Sequence, residues 1–459
     1  MVEAFEDMCN VFAKIMRRRL VKECKVLAKR SLCTSLIKFA QGSETLQHDA
    51  NAPIQTIQEV KANLTKIMGV RSGYTPIQES RSHLLSFLPQ SQAELEPRSM
   101  QDSFASALIP LSTDGELQDR YITFLGSVRL GRLLEDMDIF AVWVVHKHIK
   151  NPKESPNMPS PHTLVTVLVD KIDFTDFKPT PYDDIRLSGH VSWVGKSSVE
   201  VVVWLEQMRH NQWQKLTRAL FLMAARDPTN SRAAPVNAIE PANDEERKIL
   251  IGGEARKKRR YMLQTHSLLK MIPSDEEQKI VHDLFIRTMA SNEISLLKRT
   301  LPLGCAWMEN SSLSNIIFSH PEHRNLHNKV FGGFLMRQAV ELSWALSYLF
   351  SKYRPELKHI SDINFHKPIE VNSLIRMHAH VVYTQMQFVQ ITVYAESFEA
   401  RTGVHNTTNI FHFTYELTEL APEVIPCTYQ EAMMYLDGRR HFLDALNQQV
   451  GDSGVQPGP

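Results

Sequence analysis

Apolar and polar positions in this chain fall into the period of a strand twice, nearly two hundred residues apart. Val199, Val201, Val203 and Leu205 alternate with other residues, and so do Val389, Ile391, Val393 and Ala395. A period of two is that of a strand with one buried face. Both runs belong to a longer repeat. Residues 190–206 and 380–396 align without a gap at an offset of 190, sharing the His, three Val and the final Glu, with Trp/Tyr exchanges at 193/383 and 204/394. Each copy reads as a strand pair, with a long helical stretch before it and a further strand after it, 216–227 in one copy and 407–417 in the other. The predicted unit is one helix laid against an antiparallel sheet, present twice, which makes the fold class α+β.

The remaining segments frame these two units. Residues 1–43 divide into an acid-containing start and, from Met16, a basic amphipathic stretch nearly free of acid; the composition predicts a mitochondrial transit segment, with a surface amphipathic helix as the alternative and translation from Met16 also open. Residues 44–100 read as a helical lead-in, 101–228 as the first repeat, 229–302 as a charged helical linker and 303–425 as the second repeat. A C-terminal helix and frayed tail follow at 426–459. Within the linker, Ser274 with Glu277 three residues on predicts a capping box. The basic run 256–260 is expected to be a solvated face rather than a nuclear address.

Composition narrows the partners. The chain has 43% hydrophobic and 22% charged residues, with Lys+Arg 52 against Asp+Glu 51, so no field points to nucleic acid. No apolar run reaches the roughly 20 residues of a membrane span. Five cysteines without a C-x-x-C pair fit a reducing compartment.

Two helix entries carry candidate chemistry. In the first repeat, Asp138 shares a helical stripe with Leu134, Ala141, Val142 and Val145. A carboxylate there is costly to bury, and burial raises its pKa toward that of a useful base. The second repeat opens its helix with Gly332 and Gly333, whose amides and positive helix end suit a polarised carbonyl oxygen or a phosphate. About 10 Å of helix separates Gly131 from Asp138, at roughly 1.5 Å per residue, so one helix cannot bring both its mouth and its acid to one carbonyl. A composite site between the repeats is therefore expected. The reciprocal arrangement is weaker, with Val340 at the seventh place after the second glycine and Glu341 at the eighth, the latter expected to pair with Arg337.

These residues resemble a family. The entries VRLGRLLEDMD and HNKVFGGFLMRQAVEL, the turn SGHVSWVGKSS and the ending YLDGRRHF are similar to those of the mitochondrial double-hotdog acyl-CoA thioesterases, over roughly residues 94–443. The resemblance implies two tandem hotdog domains and hydrolysis of acyl-CoA to free acid and CoA, without metal, cofactor or serine nucleophile. It implies Asp138 as the helix carboxylate, base or nucleophile, and Asn325 as the asparagine before the glycine pair, with Asn328 its nearest rival. Glu341 is the candidate for a second site. The turn Gly195-Lys196-Ser197-Ser198 is a candidate for the CoA phosphates, or a plain hairpin. Pairing of chains into a homo-oligomer follows from family habit.

Other signals fall away. Gly189 to Ser197 has five intervening residues where a phosphate loop needs four. His320, His323 and His327 straddle a proline without a converging acid, and no G-x-S-x-G occurs. Two competing functions stay open: a hotdog hydratase or dehydratase, for which His190 or His380 would be needed, and a non-catalytic acyl-CoA sensor.

Overall fold

The computed structural model describes residues 54–69, 80–155, 158–175, 178–210, 212–265, 267–289, 296, 298–323, 325, 329–371, 373–399 and 402–451. The leader, Asn328 and His327 lie outside them. The lead-in supplies β1 (Gln55–Thr56) and α1 (Ile57–Met68), opened by a Thr56/Glu59 capping box and stopped by Gly69 at φ 70°. The first repeat comprises β2 (Ala105–Ile109), α2 (Gly115–Tyr121), α3 (Leu130–His148), β3 (Thr163–Val169), β4 (Ile172–Asp173), β5 (Ile185–Val194), β6 (Ser198–Arg209) and β7 (Gln212–Arg226). Linker helices α4 (Asp244–Thr265) and α5 (Asp275–Arg287) come next, the second capped by Ser274 and Glu277 as their spacing predicts. The second repeat comprises β8 (Cys305–Trp307), β9 (Ser312–Phe318), α6 (Gly332–Ser351), β10 (Glu356–Ile360), β11 (Ile363–Phe365), β12 (Leu374–Gln385), β13 (Phe388–Phe398) and β14 (His405–Glu416). The chain ends in β15 (Glu423–Ile425) and α7 (Tyr429–Gly451).

Both repeats contribute to one 13-stranded sheet, in the order β1-β2-β5-β6-β7-β3-β11-β14-β13-β12-β9, with β4 and β10 paired beside the junction. The repeat seen in the sequence is a repeat of register. His190 lies opposite Val202 and His380 opposite Thr392, and each hairpin carries its bulge at the same place, between Val191 and Trp193 and between Val381 and Tyr383. At the junction Val169 faces Ile363 and Leu168 faces Asn364, while Asp173 faces His359. These pairs are related by a pseudo-two-fold, so the repeats meet as the two halves of a dimer would.

The alternating residues form the inner layer. Val199, Val201, Val203, Val389, Ile391, Val393 and Ala395 are all fully buried, under α3 and α6. Each such side chain contributes about 1.5–3 kcal/mol of hydrophobic stabilisation, alanine less.

A strand with one buried face was expected for β6, and both faces are buried: Glu200 and Val202 on the outer side are 0% and 1% exposed. The linker is the reason. Helix α4 lies over this outer face, and the basic run is a docking surface rather than a solvated one. Arg256 holds Glu200 Oε1 through Nε at 3.0 Å and Nη2 at 2.6 Å, and Arg260 binds Oε2 of the same carboxylate. Arg259 reaches Asp170 at 3.5 Å and Asp362 at 3.9 Å, one acid from each repeat. Burial and the adjacent Asp170 push the Asp362 carboxyl up to about 7.

Candidate active site

Asp138 lies in the middle of α3 with its side chain almost fully buried. The apolar stripe around it, Leu134, Ala141, Val142 and Val145, is buried with it, in a helix that packs on β5, β6, β7 and α6. Its two oxygens are held from different directions. Gly333, the second residue of α6 in the other repeat, donates its backbone N–H to Oδ2 at 2.8 Å. Thr166 of β3 donates its hydroxyl to Oδ1 at 2.7 Å. Burial raises the acid to about 6; the Thr166 and Gly333 hydrogen bonds act in the opposite direction, and the charge of Glu135 adds to the rise.

The close approach of α3 and α6 depends on glycine. A Cβ at position 333 would lie 3.0 Å from Glu135 Cα and 3.1 Å from Asp138 Cβ, so a side chain there would force the helices apart. On the other side of the pseudo-two-fold, a Cβ at Gly131 would lie 3.2 Å from the carbonyl oxygen of Arg337. Glu135 and Arg337 are themselves paired across the crossing at 3.0 Å, with Arg132 on the same carboxylate at 2.9 Å. Gly332 sits beside the acid, a Cβ on it falling 3.6 Å from Asp138 Oδ2 and 2.9 Å from the Phe365 ring. Asp136, one side of α3 away, anchors the lead-in by accepting from Lys61 Nζ at 2.7 Å and from the Tyr121 hydroxyl.

The reciprocal position has the same backbone and different chemistry. Gly131 corresponds to Gly333, so Asp138 corresponds to Val340. Thr166 faces Met223 just before the bulge in β3, and Leu357 faces Tyr415 just before the bulge in β10, which makes Leu357 the counterpart of Thr166. Acid and hydroxyl are thus both replaced by aliphatic groups, 6% and 5% exposed. Glu341 does not pair with Arg337 as its helical spacing suggests. Its Oε1 accepts from Arg129 Nη2 at 2.6 Å, because Arg337 is drawn across the helix crossing to Glu135.

The other predicted residues are placed as follows. Asn325 precedes α6, and its Oδ1 accepts the Lys329 N–H at 3.1 Å while its own N–H donates to the Lys329 carbonyl at 2.7 Å, closing the loop that leads to the glycines. Gly195 to Ser198 form the β5–β6 hairpin turn, with the Gly195 N–H donating to the Ser198 carbonyl at 2.7 Å. Gln92 donates to the Gly195 carbonyl at 2.9 Å, and Lys196 is exposed beside a cavity of about 360 Å3 that Trp193, Glu254 and Lys257 also line. His190 is buried with its Nδ1 on the Val191 carbonyl at 3.1 Å, and His380 lies beside Tyr394; both are on the outer side of the sheet, turned from Asp138. Thr166 is the residue that sequence reasoning missed. Its one signal was a hydroxyl inside the apolar strand TLVTVLV.

Comparison with known proteins completes the picture. No family model matches the chain. The mitochondrial acyl-coenzyme A thioesterase 9 of Homo sapiens is 42% identical over 430 residues, 93% of this chain and 96% of that protein. The mitochondrial acyl-coenzyme A thioesterase 10 of Mus musculus is 42% identical over 409 residues, 88% and 91% of the two chains. A hop relative, the mitochondrial acyl-coenzyme A thioesterase 4 of Humulus lupulus, is 29% identical over 76% of this chain and 68% of its own. Among solved structures, an acyl-CoA hydrolase from Staphylococcus aureus matches 32% of this chain and 94% of its own at 17% identity, with a TM-score of 0.32. An acyl-ACP thioesterase from Bacteroides thetaiotaomicron matches 70% of this chain and 100% of its own at 9% identity, with a TM-score of 0.41. Two repeats, each a helix on an antiparallel sheet, and more than 40% identity along nearly the whole of the human and mouse proteins lead to one conclusion: the chain belongs to the mitochondrial double-hotdog acyl-coenzyme A thioesterases, the family of thioesterases 9 and 10.

Proposed function

We propose that this mitochondrial thioesterase hydrolyses acyl-CoA to free acid and CoA at one composite site per chain, built by Asp138 and Thr166 of the first repeat and the mouth of α6 from the second. The observation that carries the reading is the Gly333 N–H on Asp138 at 2.8 Å, which joins acid and helix mouth across the repeats. A carboxyl poised at about 6 is ionised at mitochondrial pH and still basic enough to take a proton from water. Since Gly333 is committed to orienting the acid, the oxyanion falls to Gly332, whose N–H in the first helical turn has no intrahelical acceptor. Asp138 then takes a proton from a water that attacks the thioester carbon, or attacks it directly to form an anhydride that water hydrolyses; either way the C–S bond breaks, the CoA thiolate leaves and is protonated, and free acid is released. Asn325, hydrogen-bonded to Lys329 ahead of α6, is the residue proposed to orient the water or the carbonyl. The Lys196 hairpin is two strand spacings from Thr166, ~10 Å, a span that pantetheine can cover on the way to phosphates near Lys196, Ser197 and Ser198.

Val340 and Leu357 at the reciprocal position support a single site, and Glu341, tied to Arg129, does not supply a second. The outward location of His190 and His380 speaks against a hydratase. The exposed edge strand β9, with Ile316 56% and Phe318 62% exposed, supports further self-association into a homo-oligomer, which light scattering on the full chain would test. The direct test of the reaction is thiol release from saturated and unsaturated acyl-CoAs by the wild type and Asp138→Asn. Free CoA from the first and none above background from the second is expected; an altered acyl chain, or binding without release, would overturn the proposal.

A further inference from the structure

On the outer face of the second repeat, far in the fold from the thioester chemistry, three ligand-type side chains turn toward one gap. His412 projects from β14, and Asp437 and His441 project from α7 one helical turn apart. Asp437 Oδ2 lies 4.0 Å from His412 Nε2 and 4.0 Å from His441 Nε2, and one ligand atom from each residue falls within 4.8 Å of the others. Those separations are too long for hydrogen bonds. The two imidazoles stack, their centroids 3.6 Å apart. The carboxylate therefore stands near both rings without a hydrogen bond to either.

We infer that His412, Asp437 and His441 form a binding site for a divalent cation of the zinc type, which clamps the C-terminal helix α7 to strand β14. Two imidazoles and one carboxylate are a donor set that suits zinc, cobalt and nickel. With bonds of about 2.1 Å, a tetrahedral ion sets its ligand atoms about 3.4 Å apart. Bringing Asp437 to that separation from 4.0 Å closes each of its two gaps by about 0.6 Å, and the stacked rings must tilt apart so that both Nε2 lone pairs point at the ion. The support behind the ligands is also present. His412 Nδ1 is 3.1 Å from Thr392 Oγ1, and in the bound tautomer it donates its proton there, leaving the Nε2 lone pair for the metal. His412 is itself 7% exposed, whereas the Asp437 and His441 side chains are 39% and 30% exposed, which provides an entry path and room for a water as fourth ligand.

The first repeat shows that the site is not a requirement of the fold. The pair Thr392 and His412 corresponds in register to Val202 and Leu220, which are packed with Trp204 in a small apolar cluster. The helix over that face, α4, is held by Arg256 and Arg260 on Glu200. One repeat thus fastens its outer helix with an ion pair, and the other offers ligands for a cation.

The test uses the full chain, stripped with a chelator and dialysed, then titrated with Zn2+ by calorimetry and with Co2+ by absorption spectroscopy. One tight equivalent per chain is expected, with the visible bands of a low-symmetry Co2+ complex, and Zn2+ should raise the melting temperature. Asp437→Asn and His441→Gln, on the accessible helix face, should each weaken the tight equivalent at least tenfold. His412→Leu, which installs the residue found at the corresponding place in the first repeat, should do the same in a folded protein. Absence of a tight equivalent in the wild type, or an unchanged one in Asp437→Asn and His441→Gln, would overturn the inference.

Discussion

The two ends of the α3–α6 crossing both open on a close-packed glycine, and only one of them brings a buried acid to the helix mouth. Where α6 begins, a glycine amide meets a buried acid that a threonine also holds; where α3 begins, the same geometry meets Val340 and Leu357. In a homodimer one sequence must serve both ends. Fusion of the repeats removes that constraint, so the chain carries the desolvation cost of a buried carboxylate once and packs the other end with hydrocarbon. The comparison teaches that both ends share the glycine crossing, while the side chains at two positions separate the end proposed as the site from the end packed with hydrocarbon.

The strongest way to break this contrast is to remove the acid. Asp138→Asn is expected to lower turnover by roughly a thousandfold in a thiol-release assay, in line with the loss of a general base and its electrostatic role together. The same change should stabilise the protein. Burial raises the folded-state pKa from 3.8 to about 6, so ionisation opposes folding. The penalty is absent below ~pH 4, grows as pH rises toward 6 and is complete above it, at most on the order of 3 kcal/mol. Thermal unfolding should therefore show the variant ahead of the wild type at pH 8, with the gap narrowing at pH 5. A wild-type rate in this variant would refute the assignment.

Gly333→Ala comes next. The added Cβ meets the backbone of Glu135, which cannot rotate aside, so α6 must shift by a few tenths of an ångström and the amide's hydrogen bond to Asp138 is stretched. A loss of about tenfold or more in kcat is expected, short of the roughly hundredfold that a misplacement near 1 Å causes; full activity would show that the close crossing is dispensable.

Thr166→Val sharpens the comparison, because it makes the end proposed as the site more like the other. Its hydroxyl bond favours the ionised acid, so its removal should cut kcat about tenfold. It should also move the acidic limb of the pH–rate profile upward from near 6. A profile that stays in place would mean that Thr166 only packs. The smallest effect belongs to Glu341→Gln, which breaks a half-exposed pair with Arg129: turnover within twofold, and stability within about 1 kcal/mol by urea titration. Abolished turnover there would move the reaction to the reciprocal end.

Much of this arrangement could be read from residues alone, and what could not has physical reasons. The strand repeat was legible because alternation at 199–205 and 389–395 reflects a buried face, and Asp138 because an acid on an apolar stripe is expensive. Thr166 stayed hidden because a strand threonine satisfies β-propensity as well as chemistry, and its meeting with Asp138 depends on tertiary packing. The basic run at 256–260 misled for a different reason: a charged helix face looks solvated until its acids are known, and Glu200, Asp170 and Asp362 come from three separate strands or turns. The pairing of Glu341 failed likewise, since a helical neighbour at four residues was outbid by Glu135 on another helix.

The pairing of β3 with β11 has a consequence for how the protein is made. Val169 leaves the ribosome nearly two hundred residues before its partner Ile363, a wait of about 10–40 s at ordinary rates of synthesis. For that time the nascent first half presents an open strand edge with nothing to pair it, the kind of surface on which newly made chains stick to one another. The yield of intact protein should therefore respond to the supply of chaperones that cover this edge until the second half arrives.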